Sequence, residues 1–196
     1  MLGCRVVNPD GSEQRGTRRA LLSPLTALVE VFRLDILLPW VFRTHRLNLY
    51  DTPLPKETAL IPAISGACMM LPAATFSTHK GLDEGYFLHV EDLDLFIRLS
   101  GANVPIYFVP NVEATHYPSS SQVNPIFVEW HKTRSFFRYF WLHFRSPLYL
   151  IVWGPLSIGI LARFGLRAIK LFLNAVWEKV FRIRAPNTPP SHSAEN

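Results

Sequence analysis

The sequence predicts an α/β fold that continues into basic, apolar helices, and three observations support this prediction. Runs with strand character at residues 1–7, 61–71 and 104–109 alternate with segments whose apolar residues recur at helical spacing. Residues 130–184 carry ten Lys or Arg and one acidic residue, whereas residues 1–129 carry ten basic and thirteen acidic residues. Hydrophobic residues make up 48% of the 196 residues, which excludes a disordered chain and suffices for one domain with a core.

The first part of the chain predicts a strand, a turn and a helix. Residues 1–7 form a short buried strand, and the Asn-Pro-Asp-Gly run at residues 8–11 is a strong turn signal because Pro fixes φ and Gly accepts a positive φ. Apolar spacing over residues 24–38 predicts an amphipathic helix that Pro39 ends. Residues 51–57 form a Pro-rich loop.

The middle of the chain predicts two strands and two helices. Residues 61–71 predict a nearly all-apolar strand that Gly66 interrupts, a pattern typical of a buried position with close backbone approach. A short helix follows at residues 72–79. A second helix at residues 91–100 begins with acidic residues, which suit the positive end of the helix dipole. A strand at residues 104–109 comes next.

The last part of the chain predicts long helices that associate with a membrane. Residues 127–144 are aromatic-rich and basic. Residues 148–162 carry no charge, but they are shorter than the ~20 residues of a spanning helix, and a Gly-Pro pair breaks them. The apolar residues of segment 166–180 fall on one stripe with cations elsewhere, as in interfacial helices. We therefore expect an anionic membrane surface, and no nucleic acid, as a partner, and a disordered tail over residues 185–196.

The two cysteines predict no disulfide. Cys4 and Cys68 show neither a pairing pattern nor a Cys-x-x-Cys motif. We expect two small buried thiols in a reducing compartment.

The candidate chemistry lies at the acidic start of the helix at residues 91–100. Glu91 and Asp92 would project from its first turn into a cleft, where a carboxylate can act as a base. The alternative is that these acids only cap the helix. Asp94 and Arg98 are four residues apart, so they can form an ion pair along one helix face.

Further motifs surround this acidic start, and together they form a recognisable order. They are Ser-Gly-Ala at residues 65–67, Gly-Leu-Asp-Glu-Gly-Tyr-Phe at residues 81–87, Glu-Asp-Leu-Asp at residues 91–94, Val-Pro at residues 109–110, and His116. This order resembles the acceptor-side half of the family 2 glycosyltransferases, which are inverting enzymes of the GT-A fold. It is most similar to the rhamnosyltransferase-type members of bacterial polysaccharide assembly.

The resemblance covers about residues 1–145 and implies an organisation for the whole chain. Residues 1–124 would be the acceptor-side part of a GT-A domain, and residues 125–184 would be membrane-associating helices. In the family, nucleotide-binding βαβ units and an Asp-x-Asp metal motif precede these segments, and this sequence lacks them. We therefore expect a truncated or split enzyme with little activity of its own.

The resemblance also implies roles for the acid pair and the small-residue turn. Asp92 matches the base that deprotonates the acceptor hydroxyl, and Glu91 would orient it. Gly66 and Ala67 would let a sugar or its acceptor approach the backbone, because no side chain blocks it. Tight strand packing is the alternative explanation for these two small residues.

Other positions would bind substrate or metal. Asp94 and Arg98 would support the carboxylate helix at the substrate site, and Arg134 would contact a diphosphate or an anionic lipid. His116 matches a histidine that completes a Mg²⁺ or Mn²⁺ site with the Asp-x-Asp carboxylates. The serine run at residues 119–121 would form a mobile loop over the donor phosphates.

These expectations define one function and two alternatives. The expected function is transfer of a sugar from a nucleotide-sugar donor to a lipid-linked or cell-envelope glycan at the cytoplasmic face of the cell membrane, by a peripheral or re-entrant protein. One alternative is a non-catalytic, membrane-peripheral interaction protein, in which the basic helices carry the function. A metal-dependent hydrolase is weaker, because His116 is the one plausible histidine ligand near the carboxylates.

Overall fold

The architecture is a mixed four-stranded sheet with long carboxyl-terminal helices, which confirms the α/β class. It comes from a computed structural model that describes residues 1–117 and 123–182. The strands are β1 (Leu2–Val7), β2 (Arg18–Arg19), β3 (Ala59–Leu60), β4 (Ala63–Ile64), β5 (Met69–Met70) and β6 (Tyr107–Thr115). The helices are α1 (Pro24–Phe32), α2 (Leu34–Leu37), α3 (Pro39–Phe42), α4 (Ala73–Thr78), α5 (Glu91–Gly101), α6 (Pro125–His143) and α7 (Pro147–Arg182).

The central pair of the main sheet is parallel. The strand order is β3-β6-β1-β5, with β6 parallel to β1 and the two outer strands antiparallel to their neighbours. The register of β1 against β6 shifts after Cys4, so that Arg5 lies opposite Glu113. Pro110 lies in the part of β6 that this shift skips, which fits because proline cannot donate to a strand ladder. β2 and β4 form a separate two-stranded sheet.

The predicted helix over residues 24–38 begins where expected and ends early. The Ser23 hydroxyl accepts the Thr26 N–H at 3.2 Å, and the Thr26 hydroxyl accepts the Ser23 N–H, so the two residues form a capping box. The helix stops at Phe32 because Arg33 takes a left-handed backbone with a φ of 54°. Two short helices, α2 and α3, cover the remainder.

The prediction of one strand over residues 61–71 is wrong. The segment forms β4 and β5, which belong to different sheets. A tight turn joins them, in which the Cys68 N–H donates to the Ser65 carbonyl at 3.4 Å. The chain therefore reverses at Gly66 instead of running through it.

The predicted break in the last helix is also wrong. α7 continues through Pro155 as one helix of 36 residues. Pro155 itself is exposed, and the burial of Leu156 and Ile160 on a neighbouring face of α7 offsets the lost backbone hydrogen bond. The close approach of Gly159 to Val31 and Phe32 seats α7 on α1. Among the helices described, none is long and apolar enough to cross a bilayer.

The core draws on both the sheet region and the last two helices. Ile64, Phe96, Tyr139 and Leu156 belong to one buried cluster. The Tyr139 hydroxyl donates to the Leu22 carbonyl at 2.7 Å, which satisfies its polar end inside the core. α6 and α7 therefore complete the core instead of extending away from it.

The two cysteines are free thiols, as predicted, but they are in contact. Cys4 on β1 is buried, and Cys68 in the β4–β5 turn is half-buried. Their Sγ atoms are 2.9 Å apart. The predicted serine loop at residues 119–121 and the predicted tail at residues 185–196 lie outside the described residues.

Candidate functional site

The site is centred on the first turn of α5, which begins from a strained backbone. His89 and Val90 both have positive φ, 62° and 75°, although neither is glycine and valine is β-branched. Each such residue costs on the order of 1 kcal/mol and persists when its surroundings hold it in place. Val90 is buried, and its carbonyl accepts the Asp94 N–H at 2.9 Å. Glu91 and Asp92 are the first two residues of the helix that follows this turn.

Asp92 is held in one direction by two different segments. Its Oδ2 accepts a guanidinium N–H of Arg19 at 2.5 Å and the backbone N–H of Gly66 at 3.2 Å. Among the described residues, its Oδ1 accepts one hydrogen bond, from the neighbouring N–H of Leu93 at 2.8 Å. The side chain is 16% exposed. Asp92 therefore lies at the protein edge with one carboxylate oxygen committed and the other more available.

Gly66 is required for this contact. A Cβ at this position would lie 2.8 Å from Asp92 Oδ2 and 2.9 Å from Asp92 Cβ. The close backbone approach that the sequence predicts is therefore present, and the approaching group is the carboxylate. Ala67 is exposed beside it, with its N–H donating to the Ser65 hydroxyl at 3.3 Å. Substrate binding by Gly66 and Ala67 stays a prediction.

Arg19 is the main contact that sequence reasoning missed. Besides Asp92, its guanidinium donates to the Ile64 carbonyl at 2.6 and 3.2 Å and lies over the Phe96 ring. It thereby ties β2, β4 and α5 together around the carboxylate. The partners are 73 residues apart in the chain, and the Arg18-Arg19 doublet gave no signal of this pairing.

The carboxyl group of Glu91 lies in a different environment from that of Asp92. Its Oε2 atom is buried and accepts no hydrogen bond from any residue that the structure describes. Burial raises the pKa of Glu91, and the negative charge of Asp92 adds to this effect. Burial therefore favours the protonated form of Glu91, and a protonated carboxyl can donate a hydrogen bond.

Asp94 is the centre of a buried polar network. Its Oδ1 accepts the Tyr86 hydroxyl at 3.2 Å and lies 2.6 Å from His143 Nε2, and its Oδ2 accepts Arg98 Nε at 2.8 Å. Burial opposes ionisation, but the His143 hydrogen bond and the Arg98 charge outweigh it and lower the pKa of Asp94.

The Asp94–Arg98 pair predicted from its spacing is confirmed, and it reaches further than one helix face. Arg98 also donates to the carbonyls of His79 and Gly81, so the pair fixes the loop before α5. These contacts are all with protein groups, and Asp94 is 2% exposed. A substrate-binding role for Asp94 and Arg98 stays a prediction.

The predicted cation Arg134 is exposed on α6 and forms no ion pair with a described residue. One helical turn later, Arg138 donates to Asp83 at 2.8 Å and lies over the Tyr86 ring. Gly85 permits this packing, since a Cβ there would lie 2.4 Å from the guanidinium. The loop at residues 81–87 is therefore anchored to α6, and Arg134 is left accessible.

His116 directly follows β6 and is exposed. Its Nδ1 is 2.8 Å from the side-chain oxygen of Gln14, and its backbone N–H donates to the Val7 carbonyl at 3.0 Å. Gln14 fixes the ring, which leaves Nε2 as the nitrogen suited to a metal. No group of three or more His, Cys, Asp or Glu side chains is placed to hold an ion within residues 1–117 and 123–182. The described residues thus offer one ligand and do not complete a metal site.

Comparison with known proteins gives partial matches to sugar-transferring enzymes. The chain is 34% identical over 95 residues to the rhamnosyltransferase WbbL of Escherichia coli K12, a match covering 46% of this chain and 32% of the relative. It is 29% identical over 132 residues to the N-acetylglucosaminyl-diphospho-decaprenol L-rhamnosyltransferase of Mycobacterium tuberculosis, covering 61% of this chain and 38% of the relative.

Two further comparisons give nothing. No protein-family model and no solved structure matches the chain. The chain spans about a third of the length of the curated relatives that it matches. Over that part, the resemblance noted in the motifs is confirmed, and the chain is a partial homologue of rhamnosyltransferases of glycosyltransferase family 2.

Proposed function

We propose that this chain is the acceptor-side part of an inverting GT-A glycosyltransferase that transfers a sugar from a nucleotide-sugar donor to a lipid-linked glycan. The partial homology to rhamnosyltransferases makes rhamnose the first sugar to test. The single observation that carries the proposal is the Asp92 carboxylate, held at the protein edge by Arg19 and Gly66.

In the proposed reaction, Asp92 takes the proton of the acceptor hydroxyl. Its Oδ1 is the better placed oxygen, because Oδ2 is engaged with Arg19 and the Gly66 N–H. The acceptor oxygen then bonds to the anomeric carbon from the face opposite the leaving group. The bond between that carbon and the diphosphate oxygen breaks, and the nucleoside diphosphate leaves with the electron pair.

Glu91 and His116 would have supporting roles. A protonated Glu91, consistent with its raised pKa, would donate a hydrogen bond that orients the acceptor. His116 would supply one ligand to Mg²⁺ or Mn²⁺, whose charge would offset that of the leaving diphosphate when the ion is bound, with its other ligands coming from outside the described residues.

The proposed location is the cytoplasmic face of the membrane, by peripheral contact. It is supported by the exposed apolar residues of α7, including Leu166, Ile169 and Leu173, which alternate with Arg163, Arg167 and Lys170. The same surface favours the alternative function, a membrane-peripheral interaction protein without catalysis.

The test is transfer of rhamnose from its nucleotide-activated form to N-acetylglucosaminyl-diphospho-decaprenol. The chain is assayed together with the part of the mycobacterial relative that the match does not cover. Asp92→Asn should lower turnover by about 10³-fold, because the amide cannot accept the proton, while donor affinity stays constant. Glu57→Gln, at an exposed loop position, is the matched control and should keep full turnover.

Two outcomes would contradict the proposal. Unchanged turnover of Asp92→Asn would refute the assignment of the base. Failure of the wild-type chain to support transfer, combined with flotation on anionic vesicles, would favour the non-catalytic alternative.

A further inference from the structure

A buried carboxylate joins α6 to α7 through two arginines. Glu129 on α6 has a side chain only 9% exposed. Its Oε2 accepts Arg163 at 2.9 Å and its Oε1 accepts Arg167 at 3.1 Å. The arginines are one turn apart on α7, so each carboxylate oxygen takes one guanidinium. This arrangement gathers two cations on the side of α7 that faces α6.

A third cation on this face of α6 has no hydrogen-bond or ion-pair partner among the residues that the structure describes. Lys132 is three residues after Glu129, so it shares that face of α6. Burial lowers the pKa of Lys132, and the charges of Arg163, Arg167 and, least, Arg15 add to the effect, while Glu129 opposes it. No described residue forms a hydrogen bond or ion pair with its ammonium. Counted over these four side chains alone, three cations against one carboxylate leave an excess of two positive charges.

This cationic cluster, Lys132 with Arg163 and Arg167, lies near the segment that leads into the acid pair. The hydroxyl of Ser135, one turn after Lys132 on α6, donates to the Leu88 carbonyl at 3.1 Å, and the His131 ring centroid lies 4.5 Å from that of Phe87. His89 is the first of the two strained residues that lead into α5. A ligand anion at the cluster would therefore lie on the His89 side of the carboxylates.

The surface next to the cluster is apolar. Leu166, Ile169 and Leu173 are 70%, 58% and 58% exposed on α7, immediately after Arg163. A ligand that fits both features has an anionic group joined to a hydrocarbon chain. A sugar-diphospho-lipid carries two negative charges on its diphosphate, which match the excess charge, and its chain would cover the leucine and isoleucine side chains.

We propose that Lys132, Arg163 and Arg167 bind the diphosphate of a lipid-linked acceptor and that the exposed stripe of α7 takes the start of its lipid chain. The inference rests on the proposed function and names the acceptor site of the same reaction. The bound diphosphate would set the acceptor sugar next to Asp92, with His89 between the two sites.

The test is direct binding of farnesyl diphosphate, a soluble isoprenoid diphosphate, to the full chain by calorimetry. Lys132→Gln should weaken the affinity roughly tenfold or more, because it removes one charge contact while leaving the Glu129 ion pairs in place. Lys179→Gln, which removes an exposed charge elsewhere on α7, is the control and should change the affinity by less than about twofold.

Comparison ligands identify the source of the diphosphate. Farnesol and inorganic pyrophosphate should each bind at least about tenfold more weakly than farnesyl diphosphate, because each offers half of the recognised chemistry. Equal affinity for uridine diphosphate, lost in Lys132→Gln, would assign the cluster to the donor and overturn the inference. Equal losses of farnesyl diphosphate affinity in Lys132→Gln and Lys179→Gln would show that binding depends on surface charge alone, which overturns the inference. Binding to phosphatidylglycerol vesicles with the same dependence on Lys132 would overturn it for the same reason.

The experiments can refute this inference and the proposed function independently of each other. If Asp92→Asn abolishes transfer but Lys132→Gln changes neither farnesyl diphosphate affinity nor the KM for the acceptor, the cluster is not the acceptor site and the enzyme assignment stands. If Lys132-dependent binding is found and no transfer can be restored, the cluster is a lipid-diphosphate site in a protein that is not this enzyme.

Discussion

Asp92 and Asp94 lie on the same helix two residues apart, and their surroundings differ completely. Each residue of an α-helix turns by about 100°, so the two carboxylates face opposite sides of α5. Asp92 faces the β4–β5 turn, is 16% exposed and keeps one oxygen available. Asp94 faces α6, has a side chain 3% exposed and is bound by Tyr86, Arg98 and His143.

The difference separates a supporting acid from an accessible one. Asp94 joins α5 to α6 and, through Arg98, to the loop before α5, so its contacts fix the position of the helix. Asp92 contributes less to the architecture, but it occupies the end of the helix that Asp94 holds. The sequence Glu-Asp-Leu-Asp thus combines a candidate reaction site with its own support.

The largest expected effect is on stability, in Asp94→Asn. The amide leaves the partly buried Arg98 guanidinium without its carboxylate, and removing one partner of a buried pair costs about 3 kcal/mol. Asp92→Asn should cost about 1 kcal/mol, because Arg19 keeps its bonds to the Ile64 carbonyl. Urea unfolding of the two variants measures both free energies.

Glu57→Gln is the control for this pair and should change the free energy of unfolding by less than about 0.5 kcal/mol. If Asp92→Asn proves as destabilising as Asp94→Asn, the separation between a supporting and an accessible acid is wrong.

The next effect is on activity, in Gly66→Ala. The new methyl group would lie within 3 Å of Asp92 Oδ2 and Cβ, so the carboxylate has to move. We expect a loss of about 10²-fold in turnover with small changes in stability, since the turn is exposed. Gly101→Ala is the matched control, because its Cβ would meet nothing within 4 Å. Equal turnover of the two alanine variants would show that the Asp92 position is not critical.

The smallest effect is on how stability depends on pH, because Asp94 and Glu91 contribute to it with opposite signs. The lowered pKa of Asp94 means that its stabilisation is present above the unfolded value of about 3.9 and is lost as the pH falls through the folded pKa. The raised pKa of Glu91 has the opposite sign, so its contribution is present below about 4.3 and is lost as the pH rises through the folded pKa.

Glu91→Gln should therefore remove a fall in stability above pH ~4.3, and Asp94→Asn a fall below pH ~3.9. Thermal unfolding from pH 3 to pH 7 measures both slopes. The same slope in wild type and Glu91→Gln would show that Glu91 is not perturbed by burial.

Local signals predicted much of the fold. The start of α1 followed from Ser23 and Pro24, and α5 followed from its acidic first turn, because these residues act within one helical turn. The errors came from longer-range packing. The helix break at Arg33 has no Gly or Pro to announce it, and Pro155 stays helical because α7 is packed against α1.

The parts of the site that depend on neighbouring residues could also be predicted, and the contacts between distant segments could not. The Glu91–Asp92 pair and the close approach at Gly66 were accessible from sequence, because both are visible in a few neighbouring residues. Arg19 and His143 were not, since each reaches its carboxylate across 73 or 49 residues of chain. The strain at Val90 also gave no signal, because valine rarely adopts a positive φ.

The contact between Cys4 and Cys68 has a practical consequence for anyone who purifies this protein. Burial raises the pKa of Cys4 to about 12, and the hydrogen bond with Cys68 adds to this, so Cys4 resists forming the reactive thiolate. Of the two thiols, Cys68 is the more exposed to an oxidant. A disulfide between the two cysteines would link β1 to the β4–β5 turn. Cys68 lies two residues after Gly66, whose N–H contacts Asp92. Preparations left in air should therefore be compared with reduced ones before any loss of turnover is attributed to a mutation.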